Sequence, residues 1–229
     1  MKMKPDPQRI PLETLTTFFD EKSDNLFLLK ASVGSGCVQR FELDRGLEAR
    51  FWMCRFDQQM ELIGNVQPEY KSRYFTLICF EDTSDLRLCM SDSSLSENIF
   101  WDTIFLSANF RYGIIIPPNI ETRCVSISFT NTWFRHNVLD CNHRFQPLKQ
   151  QLEAIRSFSV LGRMSATEKK LIEDLLNTDW KKSFGTFYIK AAVVKILIDV
   201  LHRINERESL SINQVCLEKH IPELEKYIR

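Results

Sequence analysis

The sequence has no net charge, no long apolar run and no leader-like start. Lys+Arg and Asp+Glu both number 30 among 229 residues, so the formal charge is zero. Such a chain has no overall attraction to phosphate backbones or anionic lipid, so any DNA binding needs another segment. No apolar run approaches the roughly 20 residues of a membrane span. The lysines near the N-terminus are not followed by the apolar core of a signal peptide. These absences predict a cytoplasmic protein without a membrane partner.

Cysteine is present but forms no recognisable set. The chain has seven cysteines and no C-x-x-C pair, which fits a reducing compartment. Four of them fall in strand-like runs: Cys54, Cys79, Cys89 and Cys124. We expect these four to be small buried hydrophobic residues rather than redox or metal-binding groups.

Common catalytic motifs are also missing. There is no G-x-S-x-G, H-E-x-x-H or Walker loop. The Gly-Ser-Gly at 34–36 precedes a strand-like run rather than a helix, so we interpret it as a hairpin turn. Cys141 lies near His136 and His143, but surface histidines explain this spacing better than a zinc site. A Cys–His nucleophile pair stays an open alternative that nothing favours. We expect no catalytic residue, no metal and no cofactor.

Residues 26–130 read as a series of short strands. Apolar runs or apolar–polar alternation, separated by turn residues, occur at 26–32, 37–43, 48–56, 74–80, 86–90, 100–106, 112–116 and 121–130. In the last run, Val125, Ile127 and Phe129 share one face, and Cys124, Ser126 and Ser128 share the other. Strands this short and this closely spaced predict an antiparallel barrel or sandwich.

After residue 130 the period changes to that of helices. Short helices are predicted at 132–138, 147–158 and 213–219, and a further one from Pro222. Ser165 and Glu168 have the spacing of a capping box for a helix at 169–176. A long helix is predicted at 183–207. Strands followed by helices define an α+β fold.

The long helix carries two apolar rows. One row is Val193, Leu197, Val200 and Ile204. The other is Phe187, Ala191, Val194, Ile198 and Leu201. A surface helix needs one apolar stripe, so two rows indicate either a central buried helix or a helix that also contacts a partner chain. We predict the partner reading, with the first row as the dimer interface, because the large Phe187 is best used as an anchor in the body.

The order of these features resembles the N-terminal region of AraC-type transcription regulators. Residues 112–134 look like the family's last barrel strands, 180–207 like its linker helix, and 224–228 like the start of its DNA-binding domain. The resemblance implies three parts. They are a cupin-like effector-binding β domain at 1–130, a helical linker and dimerisation segment at 131–221, and the start of an absent helix-turn-helix domain at 222–229. It implies a homodimer that senses a small molecule and reaches DNA only through the absent domain.

Two alternatives remain beside the regulatory reading. A cupin-like isomerase or dioxygenase would need paired histidines on strands, but none of the four histidines lies in the β region. The other alternative is a protein-interaction scaffold with a filled barrel.

The predicted pocket combines aromatic rings with one arginine for an anionic or polyol ligand. Its residues are Arg50, Trp52, Phe56, Tyr74, Trp101 and Tyr112. The competing interpretation is that these rings are ordinary core and that Arg50 is solvated.

Overall fold

Twelve stretches of the chain are described by the computed structural model. They are residues 8–11, 18–23, 25–64, 74–82, 86–90, 97–98, 102–107, 112–140, 145–146, 148–149, 159–179 and 185–206. The predicted helices at 213–219 and from Pro222, and most of the one at 147–158, lie outside the described residues.

Two sheets make up the β part. The described strands are β1 (Gln8–Pro11), β2 (Phe19–Ser23), β3 (Leu26–Leu29), β4 (Gly34–Asp44), β5 (Leu47–Phe56), β6 (Met60–Gly64), β7 (Tyr74–Phe80), β8 (Arg87–Met90), β9 (Glu97–Asn98), β10 (Thr103–Ser107), β11 (Tyr112–Ile116), β12 (Glu121–Thr130) and β13 (Ser159–Gly162). The large sheet has the order β13-β10-β7-β12-β5-β4-β3-β2, and the small sheet has the order β1-β6-β11-β8-β9. Only the β1–β6 pair among the described strands is parallel. The predicted α+β class with antiparallel sheets is confirmed.

The hairpin between β4 and β5 shows where glycine is required. Gly46 has a φ of 94° in its tight turn, a conformation that side chains disfavour.

The turn between β3 and β4 lies at 31–33, so the Gly-Ser-Gly at 34–36 is not the turn that was predicted. Gly36 instead lies within β4, where a Cβ would stand 2.1 Å from the Met53 carbonyl oxygen. This glycine permits a close approach of two strands.

The central strands of the large sheet present two different faces. On β12, Val125, Ile127 and Phe129 are buried among residues that also contact the helices. Cys124 belongs to a second apolar cluster on the opposite face, toward the small sheet. This follows from the period of two along a strand. The large sheet therefore separates a helix-packed layer from a layer between the two sheets.

Three helices with described bounds follow β12. They are α1 (Asn131–Phe134), which continues into a π-helical turn (Arg135–Leu139), α2 (Ala166–Asn177) and α3 (Gly185–Glu206). Thr130 caps α1, and the predicted capping box is present at α2, where Ser165 and Glu168 satisfy each other's backbone N–H groups. The predicted long helix is confirmed as α3.

Two ion pairs hold α3 in place. The carboxylate of Glu168, of which 1% is exposed, bonds the guanidinium of Arg203 in the last turn of α3. Near the other end, Lys190 Nζ lies 2.9 Å from Asp44 Oδ2 at the β4–β5 turn. The bond to Lys190 is the main cause that lowers the pKa of the Asp44 carboxyl. Both pairs tie α3 to the rest of the chain.

The orientation of α3 corrects one prediction. Val193, Leu197, Val200 and Ile204 are all buried within this chain, with at most 5% of each side chain exposed. The prediction that they face a partner is wrong. They join a continuous buried face that packs on the large sheet. Phe187 is 76% exposed and Ile198 is 38% exposed, so Phe187 does not anchor the helix in the body.

The helical region and the β region share one core. A single apolar cluster includes Phe51 and Phe129 from the sheet together with Ile172 and Ile196 from α2 and α3. In addition, β13 lies in the segment predicted to be helical and pairs with β10 at the edge of the large sheet. Residues after 130 thus complete the sheet as well as cover it.

Candidate functional site

A cavity of about 210 Å3 lies between the two sheets. Strands β5, β7 and β12 of the large sheet and β11 of the small sheet provide its walls. The lining residues are Arg50, Trp52, Cys54, Phe56, Thr76, Ile78, Phe80, Tyr112, Ile114, Ile116, Thr122, Cys124, Ser126 and Ser128. Along β5, β7 and β12 they alternate with residues of the helix-packed core, because successive side chains point to opposite faces.

The strand register orders the lining residues from polar to apolar. Ser128 lies opposite Thr76, and Ser126 lies opposite Arg50. We call these four residues the polar end. Toward the start of β12, the next residue on this face is Cys124, which pairs with Trp52 on one side and Phe80 on the other. The residue after it on the same face is Thr122, which lies opposite Cys54. We call this part, which continues to Phe56, the apolar end.

Arg50 is held in place by a carboxylate. Its Nε donates to Glu48 Oε1 at 2.6 Å, and the other oxygen of Glu48 accepts from Arg40 Nε at 2.7 Å. Because Glu48 binds Nε, the two terminal guanidinium nitrogens of Arg50 are left without an acceptor in the described part of the chain. Arg50 therefore presents two N–H groups in the geometry that a carboxylate accepts. The side chain is 43% exposed, so it stands at the rim of the cavity.

Hydrogen bonds fix the other polar side chains at this end. The indole Nε1 of Trp52 donates to the Ser126 hydroxyl at 3.0 Å. The hydroxyls of Thr76 and Ser128 lie 3.4 Å apart. The ring of Phe19 packs edge-on against Trp52, with 6.3 Å between ring centroids. The polar end is thus a preorganised group of hydroxyls around one cation.

The potential nucleophiles of the cavity are held protonated. Burial raises the pKa of the Cys54 thiol to about 12, and it raises the pKa of Cys124 well above its usual value. Burial also raises the pKa of the Tyr112 phenol. The Cys54 thiol donates to the Cys37 carbonyl oxygen at 3.4 Å. Thiols in this state are poor nucleophiles and poor metal ligands.

The described lining holds no carboxylate and no imidazole, because its fourteen side chains include no aspartate, glutamate or histidine. Across the described stretches of the chain, no three His, Cys, Asp or Glu side chains come close enough to hold a metal ion. The arrangement can bind a ligand by charge, hydrogen bonds and apolar contact.

Four of the six predicted pocket residues meet at this cavity: Arg50, Trp52, Phe56 and Tyr112. Tyr74 starts β7 beside Thr130, but its side chain is outside the description. Trp101 lies outside the described residues. The predicted set includes Tyr74 of β7 but omits Thr76, Ile78 and Phe80 of that strand and the hydroxyls of β12. The alternation of small polar residues along β12 was the signal that could have identified Ser126 and Ser128.

These features define a domain with a ligand-sized cavity between two sheets, and the comparison with protein families identifies the class of protein that carries it. The family described as regulatory protein PchR N-terminal domain matches residues 33–214. The chain belongs to this family, and it is a regulatory region of an AraC-type transcription regulator. A search of curated proteins returned no match.

Comparison with solved structures gives remote likenesses. ToxT from Vibrio cholerae aligns with a TM-score of 0.39 and 11% identity, covering 76% of this chain and 65% of that chain. An apo ToxT variant aligns with a TM-score of 0.46 and 10% identity, covering 78% and 66%. A cupin domain from Bordetella pertussis gives 0.29 and 14%, covering 48% and 98%. This chain thus spans about two thirds of ToxT, and the family assignment rests on the PchR match alone.

Among the described helices, none combines the length and the apolar character of a membrane span.

Proposed function

We propose that this chain is the sensory region of a cytoplasmic transcription regulator, that it binds a small organic acid in the cavity between its sheets, and that it forms a homodimer through α3. DNA contact belongs to a separate helix-turn-helix domain, because this chain carries no net positive charge to attract phosphates. Family membership supports the regulatory role. The cavity supports the sensing role.

The observation that carries the choice of ligand is the geometry of Arg50. Its Nε is bound by Glu48, so its two terminal nitrogens are positioned for a second carboxylate or a similar planar anion. Ser126 and Ser128 add hydroxyls at the same end of the cavity. A cation surrounded by hydroxyls favours an anion over a neutral sugar, because only the anion gains charge-assisted hydrogen bonds.

The walls of the cavity determine the size and the apolar character of the ligand beyond its acid group. Aromatic and branched aliphatic side chains such as Trp52, Phe80 and Ile114 surround the space beyond the polar end. An engineered apolar cavity of about 150 Å3 accommodates benzene. A cavity of about 210 Å3 is therefore suited to a single ring or a short chain attached to the acid group. The ligand is a small amphipathic acid.

The dimer is proposed on the exposed stripe of α3. Phe187, Ala191, Val194 and Ile198 recur at helical spacing on one side, and Phe187 and Ile198 are large apolar side chains exposed to solvent. The stripe runs from Phe187 to Ile198, which corresponds to roughly 16 Å of helix. A two-fold axis near Val194 would pair this stripe with its own copy. These four residues belong to the second of the two predicted apolar rows, whose fifth member, Leu201, is instead fully buried in the core.

Binding without catalysis is the favoured role because the described lining holds no carboxylate or imidazole, and burial raises the pKa of its two thiols and its phenol. Elemental analysis of the purified protein tests the enzyme alternative. A stoichiometric transition metal together with turnover of a small molecule would establish it. The scaffold alternative predicts that no small molecule raises the melting temperature.

The test of the proposal is a thermal-shift screen with matched ligands. A ligand that binds only the folded state stabilises it by about 2.7 kcal/mol at a hundred times its Kd. We expect small aromatic and aliphatic carboxylates to raise the melting temperature, and their methyl esters and simple sugars to have little effect. The response should be lost in Arg50→Met. It should persist in Arg55→Met, because Arg55 is an exposed arginine on the same strand that does not line the cavity. Equal losses in both variants would contradict the role of Arg50.

A further inference from the structure

One buried polar group of the cavity is left without a hydrogen-bond partner. Thr122 is 5% exposed and lines the cavity wall. Among the residues that the structure describes, its hydroxyl neither donates to nor accepts from another group. Buried hydroxyls are almost always paired, because burial without a partner removes hydrogen bonds to water and returns nothing. Thr122 is thus an exception that calls for a physical explanation.

The position of Thr122 distinguishes it from the other cavity hydroxyls. Ser126 accepts from the Trp52 indole, and Thr76 and Ser128 face each other, so the hydroxyls of the polar end already have partners. Thr122 lies opposite Cys54, whose thiol bonds the Cys37 carbonyl. The unpaired hydroxyl therefore stands alone among the apolar walls at the end remote from Arg50.

We infer that Thr122 is a specificity-determining residue that bonds a second, uncharged polar group at the far end of the ligand. The inference rests on the proposed function, since it assumes that the acid group binds at Arg50. Ser126 follows Thr122 by four positions on β12, which corresponds to about 13 Å along an extended strand. The ligand class is then an elongated acid that carries a hydroxyl or carbonyl roughly 8–10 Å from its carboxylate, allowing for the reach of the hydrogen bonds.

The surrounding chemistry explains why such a group would be selected. A hydroxyl that binds beside Thr122 gains a hydrogen bond in an apolar setting, whereas an acid with a bare apolar end leaves the Thr122 hydroxyl unpaired. A site built around one polar group discriminates against analogues that lack it more strongly than a purely apolar site does. A charged group at the same place would be excluded, because the apolar end holds no described cation.

The first test uses the protein without ligand. Thr122→Val keeps the shape of the side chain and removes the hydroxyl. We expect this variant to melt at the same temperature as the parent or higher, since no bond is lost. Thr76→Val is the matched control and should lower the melting temperature, because it removes the partner of Ser128. A clear loss of stability in Thr122→Val would mean that its hydroxyl is bonded in the free protein, and it would overturn the inference.

The second test compares pairs of acids that differ by one hydroxyl. The pairs are 4-hydroxycinnamate with cinnamate and 8-hydroxyoctanoate with octanoate, titrated by calorimetry into the parent, Thr122→Val and Thr122→Ser. We expect the parent to prefer the hydroxylated member of at least one pair by about three- to tenfold. Thr122→Val should lose this preference while it keeps its affinity for the plain acid, and Thr122→Ser should retain the preference.

The outcomes separate this inference from the proposed function. If plain and hydroxylated acids bind the parent equally, or if the preference survives in Thr122→Val, Thr122 does not read the ligand, but the acid-binding cavity stands. If none of the four acids binds the parent, the acid-binding proposal fails and this inference fails with it. Binding that persists unchanged in Arg50→Met would place the acids outside the polar end and would also overturn the assignment.

Discussion

Neighbouring residues on α3 should respond in opposite ways to the same charge. Leu197 is fully buried against the large sheet, whereas Ile198 is 38% exposed. We predict that Leu197→Glu unfolds the chain and that Ile198→Glu leaves it folded but weakens self-association. The two positions differ by 100° around the helix, so the pair tests which face packs inward.

The expected magnitudes follow from burial. Removing a fully buried leucine side chain costs about 2–5 kcal/mol, and an unpaired buried carboxylate adds several more. The sum is comparable with the whole stability of a typical domain, which is about 5–15 kcal/mol. At Ile198 the new carboxylate reaches water, and the loss of folding stability should be about 1 kcal/mol or less. The same charge would lie inside the proposed dimer contact.

Circular dichroism on heating and sedimentation velocity decide between these outcomes. Thr186→Glu is the control, since Thr186 is an exposed residue at the start of the same helix. It should change neither the melting temperature nor the sedimentation coefficient. A folded Leu197→Glu together with an unfolded Ile198→Glu would refute the assignment of the buried face. A parent that stays monomeric at high concentration would refute the proposed dimer, but not the packing of α3.

Further predictions concern buried and paired groups elsewhere in the chain. Glu168→Ala should lower the free energy of unfolding in urea by about 1–3 kcal/mol, because it removes both the partner of Arg203 and one half of the capping box of α2. Glu173→Ala, at an exposed site on the same helix as Glu168, should stay within about 0.5 kcal/mol. The folded-state pKa of Asp44 is lowered, so its contribution is present above the unfolded pKa of about 3.9 and is lost as the pH falls through the folded pKa. Asp44→Asn should therefore flatten the acid side of the stability–pH curve, measured by urea unfolding between pH 2 and 6 (roughly the range in which carboxyls titrate). Cys54 and Cys124 should resist iodoacetamide at pH near 8 (about where a free thiol begins to ionise) and react only after unfolding, as peptide mass mapping would detect, since burial raises the pKa of both thiols.

Local patterns predicted much of this fold. The alternation at 121–130 identified β12 and its two faces, because a strand with one face in an apolar core must alternate in sequence. The serine and glutamate spacing identified the start of α2, because the capping box depends only on residues within one turn. The length and end points of α3 were likewise close to those predicted.

Long-range contacts were harder to predict. Which side of α3 is buried depends on which apolar row packs against the large sheet. The sequence of the helix alone does not show where that sheet lies. The four residues of β13 carry too short a pattern to separate a strand from a helix, and only their pairing with β10 makes them a strand. At the site, the face of β5 that carries Arg50 and Trp52 was predicted. The unpaired state of the Thr122 hydroxyl was not predicted, because it depends on which side chains of other strands surround it.

The two-faced character of the central strands has a consequence for how such regulators diverge. On β5, β7 and β12, residues that line the cavity alternate one by one with residues that pack against the helices. Substitution at every second position can change the recognised compound while it leaves the helix-packed core intact. The alternate positions can drift to adjust stability without touching ligand contacts. The cavity-lining positions and the helix-packed positions of one strand are thus constrained independently. Sequence comparison within the family should find one group of positions variable in members where the other group is unchanged.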